Sequence, residues 1–249
     1  MTIQPLILAG GKGVRMASDV PKLLVSVADR PMIAYLLDTL HKADFVLPPA
    51  MVVSPSSPLR EFLGEAWHYI EQTQPRGTGD AVRSAKAQLQ GKSDAVMVLY
   101  ADNPFVSVAT LRAIGKQHEA AHATLSLATL TVPSFEGPDA VFYDGGRIVR
   151  GPQGNLQHIV ELKDASADER AIPEINCGMY CIESTWLWSH IDALSPSPVT
   201  REYYVTDLIA MALREGKPIT TYALTNPLEA LGINTPEQLK MAEELMRQL

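Results

Sequence analysis

Apolar positions along the chain follow two alternating rhythms. Uninterrupted runs occur at PLILAG (Pro5–Gly10), AMVVSP (Ala50–Pro55), AVMVLYAD (Ala95–Asp102) and ATLSLATLTV (Ala123–Val132). Runs of this length without polar alternation predict strands covered on both faces. Between them, PMIAYLLDTLHKA (Pro31–Ala43), GTGDAVRSAKAQLQG (Gly77–Gly91) and SVATLRAIGKQHEAA (Ser107–Ala121) carry apolar residues at helical spacing. Regular strand–helix alternation predicts crossover units, hence a doubly wound α/β fold on a mostly parallel sheet, Rossmann-like in plan. The rhythm changes near Pro133. AVFYDGGRIVRG (Ala140–Gly151) and GNLQHIVELKD (Gly154–Asp164) read as shorter antiparallel pieces joined by glycine turns. EINCGMYCIE (Glu174–Glu183) reads as one more strand, and REYYVTDLIAMALREG (Arg201–Gly216) as the start of a helix. The last helix opens at Thr235 as N-cap, with Pro236 in first position and Glu237 in the first turn.

Composition narrows this picture. A chain of 249 residues, 46% apolar and 20% charged, suits one domain with a substantial core. A net charge of −7 argues against a nucleic-acid or acidic-membrane partner. It leaves room for an anionic small ligand at a locally basic site. The N-terminus lacks the basic stretch of a signal peptide. No run reaches the ~20 apolar residues of a membrane span. Cys177 and Cys181 share one face if their segment is a strand, and read as packing residues. The expected compartment is the cytoplasm.

The stretch LILAGGKGVRM (Leu6–Met16) places three glycines and two cations where the first strand ends. Glycine backbone at a strand-to-helix turn can approach a phosphate, and clustered N–H groups favour an anion there. A tight turn with solvated cations is the alternative. The dinucleotide fingerprint fails, because Met16 stands where its third glycine belongs. A Walker A motif is also absent. Pro21–Lys22–Leu23 follows, with a lysine able to fold back over the same phosphates.

Taken together, G-G-x-G-x-R-M followed by P-K-x-L resembles the N-terminal signature of sugar-1-phosphate nucleotidyltransferases (pyrophosphorylases). GTGDAV (Gly77–Val82), LYADNP (Leu99–Pro104), GRIVR, IVELKDA, EINCGMY, EYYVTD and GIN extend the resemblance in order along nearly the whole chain. The set is most similar to the uridyltransferase domain of bacterial N-acetylglucosamine-1-phosphate uridyltransferases. The resemblance implies Mg²⁺-dependent transfer of a nucleotidyl group from UTP to N-acetylglucosamine 1-phosphate. It implies one domain over 1–249, with a nucleotide-binding part near 1–132 and a smaller mixed β sugar-binding lobe with the last helix over 133–249. Arg15 and Lys22 are the implied catalytic cations. Leu8, Gly10, Gly11, Lys12, Gly13, Gln72, Gly77 and Thr78 are the implied nucleotide contacts, with Gln72 and the Gly77 backbone reading the base. Gly146, Glu161, Asn176, Tyr204 and Thr206 match sugar positions, and Asp102 and Asn234 the Mg²⁺ ligands. The chain departs from the family pattern at Val14 (often Thr), Asp80 (commonly His), Ala101 (Gly), Cys177 (Thr) and Asp144–Gly145–Gly146–Arg147 (G-Y-G-R). These departures cluster at substrate contacts and leave the phosphate and metal positions intact. The hexapeptide repeats of the bifunctional relatives are missing, so neither their acetyltransferase nor their trimer is expected. A different phosphorylated acceptor, or nucleotide-sugar binding without turnover, are the alternative functions.

Two rival motifs compete. His118–Glu119–Ala120–Ala121–His122 fits H-E-x-x-H, which on a helix presents two imidazoles for zinc. The surrounding amphipathic pattern and the lack of a further spaced ligand favour an ordinary connector whose polar residues face water. Cys177 is a conceivable nucleophile but has no basic neighbour in sequence.

Overall fold

The computed structural model describes residues 1–11 and 20–247. Its strands are β1 (Ile3–Leu8), β2 (Ser26–Val27), β3 (Arg30–Pro31), β4 (Ala50–Val53), β5 (His68–Glu71), β6 (Ala95–Tyr100), β7 (Leu125–Thr131), β8 (Arg147–Arg150), β9 (Leu156–Val160), β10 (Glu174–Glu183) and β11 (Ile219–Ala223). Its α-helices are α1 (Met32–Ala43), α2 (Leu59–Leu63), α3 (Thr78–Ser84), α4 (Lys86–Leu89), α5 (Val108–Ala120), α6 (Ala167–Arg170), α7 (Ser184–His190), α8 (Asp207–Arg214) and α9 (Pro236–Met246).

One sheet runs in the order β11-β7-β10-β6-β1-β4-β5, with the β8–β9 hairpin attached to β10. β1 lies parallel between β4 and β6, β4 is parallel to β5, and β7 to β11. β10 runs antiparallel between β6 and β7. The second half of the chain thus returns to the same sheet. Successive residues of the central strands serve opposite faces, as the pleat requires. Ile7, Met97 and Leu99 join a core built with α1 and α5, whereas Leu6, Val96 and Val98 join one with α3, α7 and α8. This two-sided burial is why the runs are continuously apolar. Chain order reverses between β1 and β6, and open α/β sheets bind ligands at the carboxyl ends of strands flanking such a reversal.

Some local expectations needed correction. The helical pattern of 77–91 is divided between α3 and α4 around Ala85. Gly137–Phe142 forms a tight 3-10 turn, so only Arg147–Arg150 of its segment is a strand. The helix expected from Arg201 begins at Asp207. α9 matches its sequence signals: Thr235 and Gln238 close a reciprocal capping box ahead of Pro236.

Candidate active site

A cleft of about 500 Å³ opens at the carboxyl ends of β1 and β6. Gly10 and Gly11 form its edge where β1 ends. Lys12, Gly13 and Arg15, expected at the phosphates, lie outside the described residues, as does Val14.

Lys22 enters from a short 3-10 turn. Pro21 is extended (φ −53°, ψ 133°), Leu24 N–H donates to the Pro21 carbonyl, and Leu23 is buried beneath. That anchor holds Lys22 at the cleft wall. Asp102 sits in a turn directly after β6, where Ala101 N–H still bonds the Leu8 carbonyl and Asn103 N–H bonds back to Tyr100. Asn234 is far away in sequence but is tied in by the backbone. Ile233 N–H donates to the Asp102 carbonyl at 2.9 Å. Gln238 Oε1 accepts from Asn234 N–H at 2.7 Å, so the capping of α9 also fixes this residue. As a result Lys22 Nζ lies 2.5 Å from Asp102 Oδ2 and 2.7 Å from Asn234 Oδ1. Two oxygens converge on one cation-sized position, currently met by the ammonium.

The side of the cleft expected to meet the base is built around Gln72, Gly77 and the first turn of α3. Gly77 has φ +102°, and a Cβ there would lie 2.5 Å from the Tyr203 carbonyl oxygen. Gly79 N–H and Tyr203 N–H exchange backbone bonds with Tyr203 and Arg76, and the Thr78 hydroxyl accepts from Val205 N–H. Gln72, 6% exposed, donates from Nε2 to the Gly77 carbonyl (3.2 Å) and to Asp80 Oδ2 (3.0 Å).

The opposite wall is supplied by β8–β10. β10 carries a register shift between Asn176 and Tyr180, with Gly178 at φ +70°. A Cβ on Gly178 would lie 2.6 Å from the Tyr100 ring, so glycine is needed for this close approach. Asn176 donates to the Tyr180 hydroxyl at 2.6 Å, and its backbone N–H bonds the Gly146 carbonyl. Glu161 accepts from the Thr206 hydroxyl at 2.9 Å. Burial, then nearby Asp207, Asp164 and Glu202, push the Glu161 carboxyl above its ordinary range, against the Thr206 bond. Burial likewise raises the Tyr100 phenol. Leu8, Gly10, Gly11, Lys22, Gln72, Gly77, Thr78, Asp102, Gly146, Glu161, Asn176 and Asn234 all line one cleft. Tyr204 and Thr206 do not line it; Tyr204 bonds Thr200, and Thr206 reaches the wall through Glu161.

Sequence reasoning missed Tyr100, Asn103 and Gly178 as cleft residues. It noted Asp80 only as an added charge, although Arg76 and Arg83 at positions four before and three after it signalled pairing on one helical face.

The rival motifs fail on geometry. α5 ends at Ala120, and His122 adopts φ 45° beyond it, so the two imidazoles do not share a helical face. His118, expected at the surface, is buried with Nδ1 2.9 Å from Ser126 Oγ, and burial lowers its pKa. Among the described residues no cluster of three or more His, Cys, Asp or Glu side chains could hold a metal. Cys177 and Cys181 are unpaired and buried; burial raises both thiols, Cys181 to about 12, which disfavours the thiolate. No helix among the described residues is long and apolar enough to cross a membrane.

A sheet of this order, with cationic and carboxylate groups meeting at its switch point, places the molecule among ligand-binding α/β proteins of the Rossmann-like class. Residues 5–172 match the MobA-like NTP transferase domain, and the chain belongs to that family. Over 242 residues it is 35% identical to the bifunctional protein GlmU of Heliobacterium modesticaldum, covering 97% of this chain and 51% of that protein. The GlmU of Brevibacillus brevis is 36% identical over 245 residues, 98% and 52% of the two chains. The chain therefore spans about half the length of the curated relatives it matches. A crystal structure assigned as a glucose-1-phosphate thymidylyltransferase from Bacillus anthracis, in complex with sucrose, superposes with a TM-score of 0.77. It covers 100% of this chain and 96% of that one at 20% identity, which establishes the shared fold.

Proposed function

We infer that this chain transfers a nucleotidyl group from a nucleoside triphosphate to a sugar 1-phosphate, releasing pyrophosphate. UTP and N-acetylglucosamine 1-phosphate are the lead substrates. The observation that carries this reading is the convergence of Lys22, Asp102 and Asn234 at the β1/β6 switch point, inside a cleft walled by Gln72 on one side and Glu161 and Asn176 on the other. GlmU as the name of relatives matched over nearly the whole chain supports the choice of lead substrates.

The chemical problem is charge. A phosphate monoester has its second pKa near ~6, so the attacking oxygen is already anionic at neutral pH and needs no general base. Positioning and cations then carry catalysis. Gly10 and Gly11 let backbone approach the triphosphate, and Lys22 offers its ammonium to the phosphates. Lys12, Gly13 and Arg15 keep the roles read from the sequence. Asp102 and Asn234 would hold Mg²⁺: one carboxylate and one amide oxygen aimed at a single point suit a small hard cation that completes its shell with phosphate and water. When bound, the ion would neutralise charge on the triphosphate. Glu161 accepts from hydroxyl groups of the sugar, and Asn176 meets an amide or hydroxyl.

The test is pyrophosphate release by purified protein with Mg²⁺, each common NTP and a panel of sugar 1-phosphates. Release with UTP and N-acetylglucosamine 1-phosphate above all other pairs is expected. Release only with a non-sugar acceptor overturns the substrate assignment, and tight UDP-sugar binding without release overturns the catalytic one.

A further inference from the structure

Asp80 is 4% exposed, at the third residue of α3, just behind Gly77 and Thr78, which line the cleft. A buried carboxylate survives only where its charge is answered. Here Arg76 donates to Oδ1 at 2.9 Å and Arg83 lies 3.5 Å from the same oxygen. Both guanidinium groups also lie over the Tyr203 ring, at 5.6 and 4.5 Å from its centre. The second carboxylate oxygen accepts from Gln72 Nε2 at 3.0 Å.

This last bond fixes the polarity of Gln72. A carboxamide nitrogen has two hydrogens. One goes to Asp80 and the other to the Gly77 carbonyl. Turning the amide over would set Oε1 against a carboxylate and a carbonyl, two acceptors and no donor, so the orientation is determined by the network. Oε1 is left on the other side, beside Gly10, where a Cβ would come within 3.0 Å of it. No donor among the described residues reaches Oε1. Gln72 therefore presents the cleft with an acceptor only.

We propose that Asp80 is a positioning residue that sets base preference by locking Gln72 as a pure hydrogen-bond acceptor. This rests on the nucleotidyl-transfer reading above, with Gln72 against the base. A fixed acceptor suits a ring N–H, as in uracil or thymine, and opposes a ring lone pair, as on N3 of cytosine. UTP and CTP have the same ring size, so their ratio isolates this effect. With Asp80 removed, Gln72 can rotate and offer its NH₂, and cytosine is no longer penalised.

The experiment compares UTP and CTP binding to the wild type, Asp80→Ala, Gln72→Met and the double variant by calorimetry with Mg²⁺, alongside pyrophosphate release. Wild type should favour UTP by about tenfold or more. Asp80→Ala should bring the ratio to within about threefold of unity, chiefly through tighter CTP binding. In the Gln72→Met background, Asp80→Ala should leave the ratio unchanged, because the two act as one unit. A purely structural role would weaken both nucleotides alike and keep their ratio, which overturns the proposal. So does an equal fall in the ratio with and without Gln72. If Asp80→Ala does not fold, Asp80→Asn, which keeps the volume and removes the fixed anion, must also lower the ratio; an unchanged ratio refutes it. UTP-selective binding without pyrophosphate release would sink the catalytic reading and leave this one standing. A wild type that binds neither nucleotide, or shows no preference for UTP, overturns this proposal, while pyrophosphate release with another NTP keeps the catalytic reading.

Discussion

Replacing Gly77 by alanine tests whether the turn into α3 is held by close approach of two backbones. Gly77 has φ 102° and ψ 177°, a region that only glycine occupies without penalty. An L-residue there costs about 2 kcal/mol in backbone strain. The new Cβ would also stand 2.5 Å from the Tyr203 carbonyl oxygen and 2.9 Å from its nitrogen. Both are main-chain atoms, held by the Tyr203 N–H bond to Arg76 and the Gly79 N–H bond to Tyr203, each 2.8 Å. Neither can swing aside as a side-chain tip would, so overpacking adds about 2 kcal/mol. The expected total is about 4 kcal/mol, or ~10 °C in melting temperature for a chain of this size. Gly91 is the control: its φ is +78°, but no atom lies within 4 Å of the point where an alanine methyl would stand. Gly91→Ala carries strain alone, about 1 kcal/mol. Urea unfolding of the two variants, followed by circular dichroism, separates strain from contact. Equal losses in the two would refute the close-approach argument, and with it the account of why the loop needs glycine.

Asp102→Asn should lower pyrophosphate release by a factor of about 100 or more, with about 1 kcal/mol lost in stability; near-normal turnover contradicts the metal assignment. Lys22→Met should let nucleotide-free protein bind Mg²⁺ about fivefold more tightly, since the ion no longer displaces an ammonium from Asp102 and Asn234; titration calorimetry with Mg²⁺ alone reads this, and an unchanged Kd refutes the overlap. Glu161 has a folded-state pKa raised by burial, so its ionised form opposes folding above that pKa, and the opposition vanishes as pH falls through it towards the ordinary 4.5. Glu161→Gln should therefore be the more stable protein at pH 7, with the gap closing by about pH 4.5; thermal melts across that range would contradict the reasoning if the gap were constant or reversed.

Much of the fold is legible in the sequence because the central strands are buried on both faces. β1, β4, β6 and β7 coincide with the uninterrupted apolar runs for that reason. The edges are harder. Of His68–Glu71 in β5 only Ile70 is buried, and in Ile219–Ala223 of β11 no residue is. An edge strand half in water has no apolar run to betray it. β10 reads as a strand, but its antiparallel place between β6 and β7 depends on pairing partners more than forty residues away. The candidate site shows the same division. Lys22, Asp102 and Asn234 carry no mutual spacing signal; only family resemblance brings them together, and the geometry explains it through Ile233 and Gln238. His118 looks like a surface residue in sequence because its partner Ser126, itself bonded to Thr220 of β11, comes from β7.

The interrupted register of β10 has a wider consequence. β10 keeps company with β6 only as far as Met179 opposite Leu99, and past Gly178 its ladder continues with β7 at Asn176. The sheet is unzipped just where β6 runs into Asp102. In the proposed reaction, acceptor recognition and phosphate handling would sit on opposite banks of a seam, joined below by the β6–β10 hydrogen bonds but separately adjustable above. Cys177 and Asp144, two departures from the family pattern, both stand on the β8–β10 bank. A lineage or a protein engineer can redraw that bank to admit a new acceptor while the opposite bank, with its cation position, is inherited untouched.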